Sequence, residues 1–194
     1  MTANSTVSLT ILIIRHAEKE GEQWPGPGLT PEGVEDKKSL VVRGWQRAGA
    51  WATLFGTDLG GDRYPTPIVI YAANPDSSPL EQPSRRPFQT VTPLSERLGI
   101  TPIIDYQVGQ ESELASAIAG NSGVVLVSWE HKAITGRLLP AIASGQQIKG
   151  MPHKWDDTRY DLVLRFDRLS PDAPWLFWQL CPRLLSGDSP ALME

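Results

Sequence analysis

At 194 residues, with 40% hydrophobic and 21% charged residues, the chain is sized and composed for one well-buried globular domain rather than two. Its formal net charge of -4 argues against a nucleic-acid surface, which announces itself as a basic stripe, yet leaves room for a local basic pocket. The single cysteine, Cys181, excludes an internal disulfide and a cysteine-built zinc site and fits a reducing, cytoplasmic setting.

The first apolar run, 7–14, follows no basic residue, is short and ends in charge. It therefore reads as neither a signal peptide nor a membrane span, and no other stretch reaches spanning length. Its β-branched content predicts a strand, which stops abruptly at Arg15 and His16. A buried strand ending there delivers both side chains to the carboxyl edge of a sheet, where open α/β sheets place their ligands. Residues 21–38, rich in Gly and Pro, predict a loop. A helix is expected over 44–55, with Trp45, Ala48, Ala52 and Phe55 on one face. A strand over 67–73 and a second loop over 74–83 follow. The helix expected over 87–98 opens with proline in its first turn, where a missing N–H is harmless. A further short strand is a candidate over 101–105, and a helix over 111–119.

The strand expected over 124–129 again ends in polar groups, Ser128, Trp129 and Glu130, ahead of His131. The helix over 131–143 should close before Gly145 as its C-cap, and Pro140 inside it predicts a kink or an early end. Strands over 160–166 and 175–180 are joined by 167–174, too short for a crossover helix, so they should form a hairpin and make one edge of the sheet antiparallel. The alternation of strand and helix predicts a three-layer α/β/α sandwich with a mostly parallel central sheet, one domain over residues 1–194. Of the tryptophans, Trp45, Trp51, Trp175 and Trp178 are expected in the core, while Trp24, Trp129 and Trp155, in loops or at strand ends, fit either a structural place or a pocket wall. His153 is expected at the surface.

Two of the three histidines thus fall at matching strand ends. Arg86, just before a predicted helix start, adds a permanent cation beside free backbone N–H groups. Two arginines and two histidines at one edge suit a tetrahedral oxyanion: guanidinium forks bind phosphate oxygens, and a neutral imidazole attacks phosphorus or, protonated, stabilises the transferring group. Other chemistries lack their signals. There is no Gly-rich phosphate loop, the histidines lack metal-ligand spacing, and Ser128 is not in a nucleophile elbow. A small phosphorylated substrate is expected, with no metal, cofactor, nucleic acid or membrane involved; nothing in the pattern specifies an oligomeric state.

Four segments, in order, resemble the histidine phosphatase superfamily in its phosphoglycerate mutase-like branch: Arg15-His16; Leu40, Gly44 and Ala48 in a Leu-x-x-x-Gly-x-x-x-Ala helix opening; Arg86, Gln89 and Thr90 in Arg-x-x-Gln-Thr; and His131 after its strand. The resemblance implies a phosphoglycerate mutase-like fold and a phosphatase acting on a phosphomonoester, with His16 as the phosphorylated nucleophile and Arg15, Arg86 and His131 binding the phosphoryl group. The alternatives are a mutase-like phosphotransferase and a non-catalytic module that binds a phosphorylated ligand. The chain departs from the pattern at Ala17, where the family has glycine, and at Lys132, where one branch carries an acidic proton donor. In the other branch the donor is a glutamate in a loop, which points to Asp105, Glu111 or Glu113. Glu130 is nearest in sequence and is the expected general acid, with Glu18 and Lys19 expected on the substrate side.

Overall fold

The computed structural model describes residues 9–76 and 84–194. The first two residues of the expected 7–14 strand and most of the expected 74–83 loop lie outside these. A five-stranded sheet has the order β2-β3-β1-β4-β5, built from β1 (Leu9–Arg15), β2 (Val69–Ala72), β3 (Gly123–Trp129), β4 (Val163–Arg168) and β5 (Leu176–Leu180). β1 pairs in parallel with β3, and β3 with β2, whereas β4 runs antiparallel to both β1 and β5. The sheet is therefore mostly parallel only in part: four strands share one direction, but two of the four pairings are antiparallel. The short 169–175 connection makes the expected hairpin, and β4 inserts between β1 and β5 rather than forming an edge.

Alternation along β1 explains the three layers. Leu9, Ile11 and Ile13 pack with α3 (Glu111–Ala119) and with the helix after β3. Leu12 and Ile14 face α1 (Val42–Phe55) and α2 (Arg86–Leu98) on the other side. Both β1 faces are almost fully buried, and each such aliphatic side chain contributes roughly 1.5–3 kcal/mol relative to exposure. A strand covered on both faces reads as a continuous apolar run.

The helix after β3 continues from α4 (His131–Ala133) through a π-helical segment, Ile134–Leu138, into α5 (Leu139–Ala143). Pro140 neither stops nor ends it. Proline has no N–H and crowds the carbonyl four residues back, and the turn ahead of it is widened, with the Leu139 N–H bonded to the Ile134 carbonyl. The left-handed cap falls on Ser144, one residue before the expected Gly145, although Gly145 also has positive φ.

Two expected strands are corrected. The 101–105 segment contributes only a bridge, Ile103 with Tyr71; Pro102 beside it has no N–H to extend a ladder. β4 starts at Val163 rather than Tyr160 because Asp161 turns to Arg159 and accepts the Ser189 N–H at 2.7 Å, holding 160–162 out of the ladder. For Trp129 and Trp155 the structural alternative holds, both being buried in the core, whereas Trp178 is exposed on β5 rather than core. No helix among the described residues is long and apolar enough to cross a membrane.

One close approach sets the position of α1. A Cβ built on Gly44 would lie 2.5 Å from the Glu18 carbonyl oxygen and 3.0 Å from Leu40 Cβ, so the helix backbone rests directly on the chain that follows His16. Leu40 and Ala48 pack there with Ala17. Gly49, on the exposed side of the same helix, has open space around it. Gly44→Ala should therefore destabilise by about 1–3 kcal/mol through overpacking. Gly49→Ala should stabilise by about 1 kcal/mol through helix propensity. Urea midpoints of the two variants against wild type should move in opposite directions.

Candidate active site

Parallel register places Arg15 opposite Trp129, and the His16 N–H continues the ladder to the Trp129 carbonyl at 3.0 Å. His16 and His131 consequently leave the sheet at the same edge, their rings 6.4 Å apart and roughly perpendicular. Both are buried, at 4% and 5% exposure.

His16 Nδ1 donates to the Ala17 carbonyl at 2.8 Å, which assigns the ring proton to Nδ1 and leaves the Nε2 lone pair unused. Burial pushes the imidazole pKa well below its ordinary 6.5; the nearby Arg15 adds to this, Arg86 and His131 contribute further, and the Ala17 bond only partly opposes them. The ring is neutral at physiological pH. Ala17 is itself fixed, because its N–H donates to Thr90 Oγ1 at 2.8 Å while that hydroxyl donates back to the Arg86 carbonyl. Gln89 completes the docking of α2: its Oε1 accepts the Leu40 N–H and its Nε2 donates to Ser39 Oγ. Gln89 and Thr90 thus set Arg86 in place relative to His16. Arg86, half-buried at the first position of α2, donates from Nε to the Ser39 carbonyl at 3.2 Å and from NH2 to the Lys37 carbonyl.

Arg15 is 1% exposed. Its NH1 donates to the carbonyls of Asp157 (2.8 Å), Arg159 (3.0 Å) and Asp156 (3.4 Å), and its guanidinium carbon lies 3.8 Å from the centre of the Tyr160 ring. Its buried Nε has no hydrogen-bond partner. Tyr160 also approaches His16, at 6.1 Å between rings.

His131 is flanked by carboxylates. Nε2 lies 2.7 Å from Asp157 Oδ1, and Nδ1 lies 2.7 Å from Glu130 Oε1. Glu130 Oε2 accepts the Ala133 N–H at 2.8 Å, capping α4. Burial would raise the Glu130 pKa, but the hydrogen bond with His131 and the backbone N–H groups of Ala133 and Lys132 hold it at about 2. A carboxylate held ionised beside His131, with Oε2 capping α4, is poorly matched to the general acid expected of Glu130.

The remaining candidates separate clearly. Glu18 is fully buried, and its Oε1 accepts from Arg47 Nε at 2.9 Å and pairs with Arg47 NH2 at 2.8 Å; Arg47 in turn forks onto Asp188 at 2.7 and 3.1 Å. Glu18 thus sits in a charge network, and with Arg47 it also lines the cleft described below. Breaking a buried pair of this kind from one side costs roughly 3–5 kcal/mol. Lys19 is exposed, with its pKa lowered by burial and by the cations Arg86 and Arg15. Glu111 accepts from the Trp129 indole at 3.0 Å and from the Gly109 N–H, and pairs with Arg137 at 2.8 Å. Asp105 and Glu113 are exposed and make no hydrogen bond or ion pair with the histidine cluster. The residues that the sequence reading missed are Tyr160, Asp157, Arg47 and Asp188.

A cleft of about 880 Å³ adjoins the cluster without including His16, Arg86 or His131. Tyr160 and Asp157 form the shared wall; Trp24, Arg43 and the 187–189 segment line the far side. Arg43 lies over the Trp24 ring at 4.8 Å.

No family model matches this sequence, and no curated protein matches it. Solved structures do. A mycobacterial glucosyl-3-phosphoglycerate phosphatase, Rv2419c, is 12% identical over 88% of this chain and 97% of its own, with a TM-score of 0.52. The protein histidine phosphatase SixA complexed with tungstate is 16% identical over 89% and 97%, also with a TM-score of 0.52. A structure named mycobacterial hydrolase 2 is 13% identical over 92% and 94%, with a TM-score of 0.53. The chain shares the fold of these structures, a three-layer α/β/α architecture like the one the resemblance in its sequence implied.

The environment of His16 makes a spectroscopic prediction. Nitrogen-15 NMR of the histidine rings should show His16 as the Nδ1–H tautomer, without a protonation step near its ordinary pKa. A His16 signal that titrates near 6.5 would contradict the burial and hydrogen bonding described above.

Proposed function

We propose that the protein is a phosphatase that hydrolyses a phosphomonoester through a phosphohistidine intermediate on His16. The observation that carries this reading is the state of His16: a neutral ring, held by Nδ1, with a free Nε2 beside Arg15, Arg86 and His131. A nucleophile needs that lone pair, and a dianionic phosphoryl group needs the surrounding positive charge. Attack by Nε2 forms the N–P bond as the ester P–O bond breaks. Arg15, through its unpartnered Nε, and Arg86 bind the phosphoryl oxygens, and His131 donates to them. Water then attacks phosphorus, the N–P bond breaks, and inorganic phosphate leaves with His16 neutral again.

Neighbouring structures of the same fold support the reading. Two of them bear phosphatase names, and one holds tungstate, a tetrahedral oxyanion like phosphate. The cleft beyond Tyr160 is the place for the leaving group, since Asp157 and Tyr160, which contact the cluster, also line it. A small phosphorylated metabolite or a phosphorylated side chain fits that volume. Glu130 lies against His131 Nδ1, and Lys19 adds positive charge at the edge.

The test is turnover of p-nitrophenyl phosphate. Wild type should release phosphate, His16→Ala should fall to background, and Arg86→Ala should lose about 10²–10³-fold in kcat, as for removal of one preorganised oxyanion donor. Equal, negligible release by wild type and His16→Ala would replace this reading with that of a phospholigand-binding module.

A further inference from the structure

An alkoxide leaving group needs a proton, and the carboxylates that the sequence offered for it are engaged or distant. Glu130 and Glu111 are tied up by hydrogen bonds and ion pairs, and Glu18 is buried against Arg47. Asp157 is also paired within the site, but it differs in exposure and in position. Its Oδ1 contacts His131 Nε2 at 2.7 Å, yet its side chain is 69% exposed. Its main-chain oxygen accepts from Arg15 NH1 at 2.8 Å, so the carboxylate projects from an anchored stretch of chain. It occupies the His131 nitrogen that faces away from Glu130, and it stands in the wall shared by the histidine cluster and the cleft.

We propose that Asp157 is the proton-transfer residue of this site: it holds His131 Nε2 at rest, yields that nitrogen to a phosphoryl oxygen, and then protonates the leaving oxygen. The proposal rests on the phosphatase reading above. The sequence of events balances. A phosphoryl oxygen accepts the Nε2–H hydrogen bond, and the released carboxylate, now beside a phosphate dianion, takes up a proton from the buffered solvent before the chemical step. As the His16–phosphorus bond forms and the ester P–O bond breaks, that proton passes to the departing oxygen. In the second step water attacks phosphorus, its proton passes to a phosphoryl oxygen, and the N–P bond breaks, with Asp157 again a carboxylate.

The electrostatics agree with the geometry. The Asp157 carboxyl sits below its ordinary pKa chiefly because of the hydrogen bond with His131, with the positive charges of His131, Lys132 and Arg15 adding to it. Loss of that bond to an incoming dianion removes the main cause and adds a like charge, and both effects favour the protonated acid. Substrate binding itself arms the donor.

The experiment compares Asp157→Asn with wild type on two esters: p-nitrophenyl phosphate, whose phenolate leaves without a proton, and glycerol 2-phosphate, whose alkoxide does not. A general acid contributes about 10²–10⁴-fold, so glycerol 2-phosphate turnover should fall by that factor while p-nitrophenyl phosphate stays within about tenfold. Thermal unfolding should be unchanged, since the side chain is exposed. Equal losses on both esters would overturn the proposal and leave Asp157 as a positioning residue for His131. No loss on either ester, with His16→Ala inactive, would overturn it while keeping the phosphatase reading. A wild type inactive on both would overturn the two together.

Discussion

Parallel pairing of β1 with β3 in a single register, Arg15 against Trp129, is the constraint on which the site depends. The ladder carries one step further through the His16 N–H, and the two histidines emerge side by side because of it. Side chains alternate with a period of two, so a slip of one residue would turn every core side chain of β1 toward the wrong face. The apolar residues that drive burial of β1 on both faces therefore also aim the imidazoles. Fold energy and site geometry are set by the same residues.

Around that edge the chain buries an unusual amount of charge. Arg15, Glu18, Arg47, Glu111 and Asp161 are nearly inaccessible. Most are paired: Arg47 between Glu18 and Asp188, Glu111 with Arg137, Asp161 with Arg159. Arg15 is the exception, because its close partners are backbone carbonyls and the face of Tyr160, and no carboxylate pairs with it directly. An uncompensated buried guanidinium is costly unless an anion completes it. In the proposed reaction the phosphoryl group is that anion, so the same cation that folds the 156–159 loop over the site also attracts the substrate.

Much of this was legible in the sequence. Both-face burial makes β1 and β3 continuous β-branched runs, and Arg-His and His at their ends mark the edge. The Gly44 spacing and the Gln89-Thr90 pair were legible as a resemblance, and the structure supplies their reason: a helix backbone pressed on Glu18, and an amide and a hydroxyl that lock α2 to Ala17 and Leu40. The strand direction of β4 was not legible. Because β4 is antiparallel, the loop before it, not after it, lies at the carboxyl edge of β1. A search confined to loops that follow strands passes over Asp157 and Tyr160. The tail after β5 comes to the same edge and supplies Asp188 to Arg47, a contact spanning 141 positions that no local pattern encodes. The dense polar and aromatic run from Trp155 to Tyr160, ahead of a strand, was the available signal.

The account stands on His16 as a neutral nucleophile that becomes covalently phosphorylated. Rapid quenching of wild type during turnover, followed by mass spectrometry of its peptides, measures that directly. The account predicts a single phosphoryl group on His16, lost in acid and kept in base. Turnover that proceeds with His16 unmodified, or with the phosphoryl group on another residue, would contradict it.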